Sequence, residues 1–321
     1  MKTIPVIDVP YDKEVGIVTA LEYPNELNIL LKTAAKTYTT LGLNIADYIS
    51  EKLSKKLASP YSKYLQNINE IINQPGTYLL NYSYEWGCTS GIIKDDAGLT
   101  LLRTLDWPFD KLSQAIIVVK QQNPIGDYLN ITFPGSVGIL TGLAKGRFAI
   151  SINQPPLPNF GLICGWMLNR LRVNNSTSIP PSHLVRYVFD TCKTYDDAIH
   201  ILKTTPVCMP VIFTVAGLQE HENITIERLP HSFRVANRPI AANHWTTDIT
   251  VGKPRNKSSI YRFDKMKSLI ENKISWNFDW VSGPIFCNDT RLSAMMNPTT
   301  GKLLLQGWEK TGKSTEILEI S

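Results

Sequence analysis

Cys88 lies between Gly87 and Thr89-Ser90, and fifteen residues further on the chain reads Arg103-Thr104-Leu105-Asp106-Trp107. A thiol is a nucleophile as its thiolate, so acyl chemistry at a cysteine needs a base and a favourable field beside it. Gly87 leaves the carbonyl before Cys88 open to attack. A cut at that bond would make Cys88 a new N-terminus, carrying nucleophile and general base (its own α-amine) on one residue. Arg103 could favour the thiolate, and Asp106 could hold an ammonium group by a charge-assisted bond. The same two residues also fit an ordinary strand-end ion pair, and spacing alone does not choose between these readings.

The other chemistry-bearing residues read as inert. Cys164, Cys192, Cys208 and Cys287 have no adjacent base or cation and fit small buried hydrophobes. Five widely spread cysteines with no Cys-x-x-Cys pair argue against a disulfide framework or a structural zinc site. His183, His200, His221, His231 and His244 are isolated, and His221-Glu222 is not continued to a second histidine, so neither a metal nor a cofactor is expected. Gly307-Trp308-Glu309-Lys310-Thr311-Gly312-Lys313-Ser314 matches the pattern of a phosphate-binding loop. That loop needs a following helix inside a parallel sheet. Here Ile317, Leu318 and Ile320 read as a last strand, so the stretch is expected to be a hairpin turn.

The elements that must position Cys88 differ on its two sides. Upstream, Leu27, Leu30, Leu31, Ala34 and Ala35 recur at helical spacing, and the pattern continues over Leu41–Leu57 after a break at Gly42. Tyr61–Ile72 predicts another helix, closed by Asn73-Gln74-Pro75-Gly76, and Thr77–Trp86 reads as extended. Downstream, Thr89–Lys94 and Leu99–Leu105 form a hairpin about Asp95-Asp96-Ala97-Gly98. Strands are expected at Ala115–Lys120, Val137–Thr141 and Arg147–Ile152, then helices at Leu162–Val173, Ser182–Thr191 and Tyr195–Lys203. Strands return at Val211–Ala216, Ile224–Leu229, Phe233–Ala236 and Ile240–Ala242, with a helix at Lys257–Asn272 and a closing hairpin about Asn297–Gly301. This order predicts an α+β fold of antiparallel sheets covered by helices, with residues 1–87 as a helical cover.

GCTSGIIKDDAGLTLLRTLDWPFD (87–110) resembles the Cys-Thr-Ser…Arg-Asn-x-Asp opening of the acid ceramidase and N-acylethanolamine-hydrolysing acid amidase family. These are N-terminal-nucleophile cysteine hydrolases related to bile salt hydrolases and penicillin V acylases. The likeness continues in TFPGSVGILTGLAKGRFAISINQPP (132–156), AANHW (241–245) and SSIYRFDKM (258–266), and GTYLLNYSYEWGC resembles the end of the family's propeptide. It implies a four-layer αββα sandwich. It also implies cleavage between Gly87 and Cys88, giving a helical propeptide or α chain (1–87) that stays packed on a catalytic β chain (88–321).

In that scheme Cys88 is the nucleophile, and Arg103 and Asp106 orient and charge-balance it. Asn153 gives a backbone N–H, and Asn243 a side-chain amide, to the oxyanion. Arg262 is a late active-site arginine, with Arg255 as competitor. The implied substrate is a linear N-acyl amide, such as an N-acylethanolamine or a ceramide-like lipid, with transient contact to a membrane surface. Apolar stretches such as Leu27–Ala35 and Trp166–Leu171 could line an acyl-chain groove, or simply pack the core. Acyl transfer through the same acyl-cysteine, or a non-processing binding protein on the same scaffold, are the alternatives. The chain departs from the family at Thr104, where the pattern has Asn, and shows no clear acidic counterpart between Phe160 and Asn169.

Composition agrees with a globular protein: 43% hydrophobic and 19% charged residues permit a sizeable core. The net charge of +5 comes from scattered Lys and Arg without a basic block, which argues against a nucleic-acid partner. MKTIPVIDVPYDKEVG lacks the apolar core of a signal peptide, and no run approaches the ~18 apolar residues of a membrane span. A reducing, cytoplasmic setting is therefore expected, with secretion by a route needing no signal peptide as the other option. Triplets such as Asn130-Ile131-Thr132 then carry no weight as glycosylation sites.

Overall fold

The structure, a computed structural model, describes residues 1–82, 86–158, 169, 173, 175–254, 258–272 and 274–321. Most of the helix expected over 162–173 lies outside the described residues, as do Cys164 and Arg255.

The hairpin that carries Cys88 forms as its sequence predicts. β2 (Gly87–Asp95) and β3 (Gly98–Asp106) pair antiparallel from Gly87↔Asp106 to Asp95↔Gly98. The two-residue turn Asp96-Ala97 is closed by Ala97 N–H donating to Asp95 Oδ1, and Gly98 takes φ +108°, open to glycine without strain. Both strands are buried on both faces, which explains their near-continuous apolar reading.

That hairpin lies inside the seven-stranded sheet β11-β2-β3-β12-β13-β14, with β15 (Leu318–Ile320) also on β13. Its other strands are β11 (Ile240–Ala241), β12 (Thr290–Met296), β13 (Leu303–Glu309) and β14 (Gly312–Lys313). Trp308↔Lys313 and Glu309↔Gly312 pair across Lys310-Thr311, so the phosphate-loop look-alike is a hairpin turn.

A second sheet has eight strands in the order β1-β4-β5-β6-β7-β8-β9-β10. They are β1 (Val6–Val9), β4 (Ile117–Gln121), β5 (Tyr128–Thr132), β6 (Thr141–Ala144), β7 (Phe148–Asn153), β8 (Val211–Ala216), β9 (Asn223–Leu229) and β10 (Ser232–Val235). The inner faces of the two sheets meet where Ser90 reaches Asn153 and Thr214. Helices α6 (Pro181–Thr191) and α7 (Tyr195–Thr204) cover the eight-stranded sheet. A Cβ on Gly142 of β6 would meet the Phe189 ring of α6 at 2.7 Å. On the other side α8 (Ser258–Ile270) covers the seven-stranded sheet, where a Cβ on Gly91 would meet Met266 at 2.7 Å and Ile270 at 2.8 Å. The result is the four-layer αββα sandwich that the resemblance implies.

The first 87 residues hold α1 (Val15–Glu22), α2 (Pro24–Tyr38), α3 (Thr40–Ser54), α4 (Ser62–Ile72) and α5 (Thr77–Asn81). They are more than a helical cover, because β1 pairs parallel with β4 and forms an edge of the eight-stranded sheet. The α2–α3 break falls at Thr39 (φ +61°) rather than Gly42, and the Thr39 hydroxyl accepts from Gly42 N–H to start α3.

Two further expectations are corrected. Thr77–Asn81 is helical, not extended: the Asp47 carboxylate of α3 accepts from Leu79 N–H at 2.8 Å, a cap that no local pattern announces. The strand expected at Val137–Thr141 begins only at Thr141, and β5 was not anticipated. Backbone groups of residues 137–139 are claimed by side chains and helices instead of a neighbouring strand. Val137 N–H donates to Asn81, Val137 O accepts from Arg186, and Ile139 N–H donates to Ser182 O.

Because Asp47 organises the short helix leading into Gly87, its loss should be felt in global stability. Asp47→Ala is expected to destabilise by about 1–2 kcal/mol in urea unfolding. An unchanged midpoint would mean that α5 is held by packing alone.

Candidate active site

Alternation along β2 and β3 sorts the predicted site residues they carry, Cys88, Arg103 and Asp106, onto two faces. Cys88 and Ser90 point into the space between the sheets, as does Arg103. Gly87, Thr89 and Asp106 face α8 on the other side. Arg103 and Asp106 therefore do not flank the thiol together. Arg103 shares the thiol's face, while Asp106 pairs with Gly87 across the ladder and attends the backbone end of Cys88.

At that backbone end, Cys88 N–H donates to Asn243 Oδ1 at 3.0 Å. The buried Arg262 guanidinium then binds everything around the bond. Its Nη1 donates to Cys88 O at 2.7 Å, to Thr89 Oγ1 at 2.8 Å and to Asp106 Oδ2 at 3.2 Å, and its Nη2 donates to Asn243 Oδ1 at 2.7 Å. Thr290 Oγ1 on β12 donates to the other Asp106 oxygen at 2.9 Å. Asn243 Nδ2 donates to Gln154 O at 2.7 Å. A Cβ on Gly87 would lie 3.2 Å from Asp106 Cβ and 3.5 Å from Asn243 Oδ1, so glycine is what lets these groups close on the bond.

On the thiol's face, Arg103 Nη1 donates to Ile152 O at 2.8 Å and contacts Asn153 Oδ1 at 3.4 Å. Asn153 Oδ1 also accepts from Ser90 Oγ at 2.8 Å, and its Nδ2 donates to Ala242 O at 3.3 Å. Arg103 is fully buried, and its guanidinium faces the Cys88 thiol. Burial pushes the Cys88 thiol up; Arg103 opposes this, Asp106 adds to it, and Arg262 opposes it. Burial also pushes the Asp106 carboxyl up, with the Arg262 ion pair and the Thr290 hydroxyl pulling it back.

All six residues named from the sequence thus fall into one connected site, Arg262 included. Sequence reading named Thr89 and Ser90 only as neighbours of the thiol and passed over Gln154, Thr214, Ser259 and Thr290 as site residues. Short hydroxyl residues carry no pattern of their own, although Thr290 could be found by its register opposite Asp106. Cys287, read as an inert buried hydrophobe, is half-buried with its Sγ 3.6 Å from the same Thr290 hydroxyl. Among the described residues no group of three or more His, Cys, Asp or Glu side chains is placed to hold a metal ion.

The profile of the acyl-coenzyme A:6-aminopenicillanic acid acyl-transferase family matches residues 93–280, more than half of the chain. The chain belongs to this family. The matched span starts just past Cys88 and contains Arg103, Asp106, Asn153, Asn243 and Arg262. The mouse N-acylethanolamine-hydrolyzing acid amidase is 27% identical over 197 residues, 58% of this chain and 52% of that protein. Acid ceramidase of Macaca fascicularis is 24% identical over 225 residues, 62% of this chain and 55% of that protein. The chain therefore spans about half the length of the curated relatives it matches. A solved Caenorhabditis elegans N-acylethanolamine-hydrolyzing acid amidase ortholog superposes with a TM-score of 0.51 at 24% identity, covering 66% of this chain and 93% of that one. These likenesses agree with the resemblance read from residues 87–110.

Removing Arg262 would strand the buried Asp106 carboxylate and leave the Cys88 and Asn243 oxygens without their shared donor. Arg262→Met is expected to lower unfolding free energy by about 3–5 kcal/mol, measured by denaturant titration. A loss below about 1 kcal/mol would show that Asp106 is neutral in the folded protein.

Proposed function

We propose that the protein cleaves itself between Gly87 and Cys88 and then acts as an N-terminal cysteine amidohydrolase on a linear N-acyl amide with a fatty acyl group. The observation that carries this reading is the arrangement at Cys88. Its backbone nitrogen sits on Asn243 Oδ1 beside Asp106 and Arg262, as a future α-amine would need, while its thiol faces Arg103 on the opposite side of the strand.

In the first stage the Cys88 sulfur bonds to the Gly87 carbonyl carbon. The C–N bond breaks, the nitrogen leaves as the α-amine with the thiol's proton, and water resolves the thioester to free the Gly87 carboxylate. In the second stage the α-amine, with a reference pKa of about 7.7–8.0, takes the thiol proton as general base. Asp106 and Asn243 Oδ1 hold the resulting ammonium, and Arg103 stabilises the thiolate. The thiolate attacks the substrate carbonyl, the amine departs with a proton, and water releases the acid. The developing oxyanion would meet the Asn153 backbone N–H and the Asn243 amide. Asn243 Nδ2 already donates to Gln154 O, but an amide nitrogen has a second hydrogen to give.

The candidate site for the acyl group is a narrow apolar cleft between the N-terminal helices and the core, open to solvent and with about 50 Å³ of free internal volume. Trp86 and Trp107, which flank the Cys88 site along β2 and β3, form one wall with Phe109 and Phe133, and Leu27, Leu30 and Leu31 of α2 form the other. The second stretch expected to line a groove, Trp166–Leu171, lies mostly outside the described residues. On α3, Leu41, Ile45 and Tyr48 are exposed one turn apart, which fits transient contact with a lipid surface. Among the described residues no helix is long and apolar enough to cross a membrane. β1 and α1–α5 give the first 87 residues enough contact to stay attached after the cut. The family's name favours acyl transfer as the second reading, in which an amine replaces water at the acyl-cysteine.

Purified protein incubated over acid and neutral pH should split into 1–87 and 88–321 on a denaturing gel, with Cys88 as the new N-terminal residue. Cys88→Ala should not split, and a folded wild type that never splits would remove the hydrolase reading. The cleaved protein, given acylethanolamines, ceramides, acyl-amino acids and penicillin V, should release free acid from long-chain amides. Added amine intercepts the acyl-cysteine and gives a new amide in place of free acid if transfer is the true reaction. Filling the cleft with Leu31→Trp should shift preference toward shorter acyl chains by about tenfold in kcat/KM, and equal loss for all chain lengths would place the acyl group elsewhere.

A further inference from the structure

We propose that Ser259 is a positioning residue for Asn243, and that His244 sets the direction of the Ser259 hydroxyl; this rests on Asn243 belonging to the amidase site. Ser259 is fully buried in the first turn of α8, and its Oγ accepts from Asn243 N–H at 2.8 Å. One turn further on, Arg262 Nη2 holds Asn243 Oδ1. A single helix therefore grips Asn243 at its backbone nitrogen and at its side-chain oxygen. A side chain that must present both an acceptor to Cys88 N and a donor to an oxyanion cannot tolerate rotation of its own peptide.

Among the described residues the Ser259 hydroxyl has one other partner, His244 Nδ1 at 2.8 Å. With Oγ already accepting from Asn243, its proton needs an acceptor, and Nδ1 is the acceptor in reach. Neutral His244 then carries its own proton on Nε2. The imidazole is held against the Phe263 ring, with centroids 5.4 Å apart. The following loop is fixed by buried Glu227 of β9, which accepts from the backbone N–H and hydroxyl of both Thr246 and Thr247.

The charged groups facing the imidazole are Glu227 from β9 and Arg262 and Asp264 from α8. Burial pulls His244 below its ordinary value of about 6.5, Glu227 and Asp264 pull it up, and Arg262 pulls it down. As pH falls through that lowered value, Nδ1 gains a proton and becomes a donor toward Ser259 Oγ. The hydroxyl proton then loses its acceptor, so the grip on Asn243 loosens on the acid side.

Long-range proton–nitrogen spectra of the intact protein should show neutral His244 as the Nε2–H tautomer, titrating below 6.5, with assignment from His244→Asn. In Ser259→Ala the tautomer preference should weaken and the Asn243 backbone amide should exchange faster. With the best amide from the panel, Ser259→Ala should lower kcat about 10–100-fold with KM within about twofold. His244→Asn should lose the acid limb in kcat that follows the His244 titration. An Nδ1–H tautomer in the wild type, a kcat within twofold in Ser259→Ala, or an unchanged acid limb in His244→Asn would overturn the proposal. If the wild type hydrolyses no amide, the amidase reading fails separately, and the tautomer and Asn243 exchange still decide whether the Ser259 link exists.

Discussion

The Arg262 guanidinium is the interaction on which the site depends. It is a planar fork with fixed donor directions, and it joins the carbonyl and neighbour of Cys88, the Asp106 carboxylate and the Asn243 amide oxygen in one buried contact. A lysine could present its charge there but not the geometry. These acceptors come from both strands of the β2–β3 hairpin and, far along the chain, from Asn243 in the loop after β11. Closing α8 onto the seven-stranded sheet is what brings the fork to them, and Gly91 allows that approach by leaving room for Met266 and Ile270.

A consequence is that the strand separates two electrostatic tasks. On the α8 side, opposite charges and hydrogen bonds gather at the backbone nitrogen of Cys88. Between the sheets, the thiol meets Arg103 in an interior dry enough that burial outweighs the cation. A thiol so placed stays protonated until a base arrives. Cleavage would supply that base from the same residue, which gives the proposed processing step a physical purpose: it creates the missing proton acceptor and opens the carbonyl side of the site together.

The N-terminal segment is bound to the rest by more than apolar packing. Tyr61 and Tyr128 both donate to Asp190 at 2.7 Å, and Arg186 lies over the Tyr61 ring, 4.4 Å from its centroid. The Ser59 hydroxyl meets His183 Nδ1 at 2.7 Å, and burial with the nearby Arg186 charge pulls His183 down to about 3, so it stays neutral at ordinary pH. With β1 in the sheet, these contacts make residues 1–87 part of the core that also walls the apolar cleft.

Much of this was legible in the chain itself. The β2–β3 hairpin was fixed by a local turn and by apolar runs, and Cys88 with Arg103 and Asp106 lay within that local unit. Asn153, Asn243 and Arg262 were reached only through family likeness, because one polar residue at the end of a strand or on a helix has no spacing to betray it. Tertiary structure decided the rest. Asp47 turned an extended-looking segment into a helix, α6 and Asn81 took the backbone groups of residues 137–139, and strand β1 escaped a reading that saw only helices. It also decided that Arg103 and Asp106 serve opposite faces of the strand, and that Ser259 and His244 stand behind Asn243. The reason is the same throughout: periodicity records which face a residue is on, whereas partners for buried polar groups are chosen by whatever the fold brings within 3 Å.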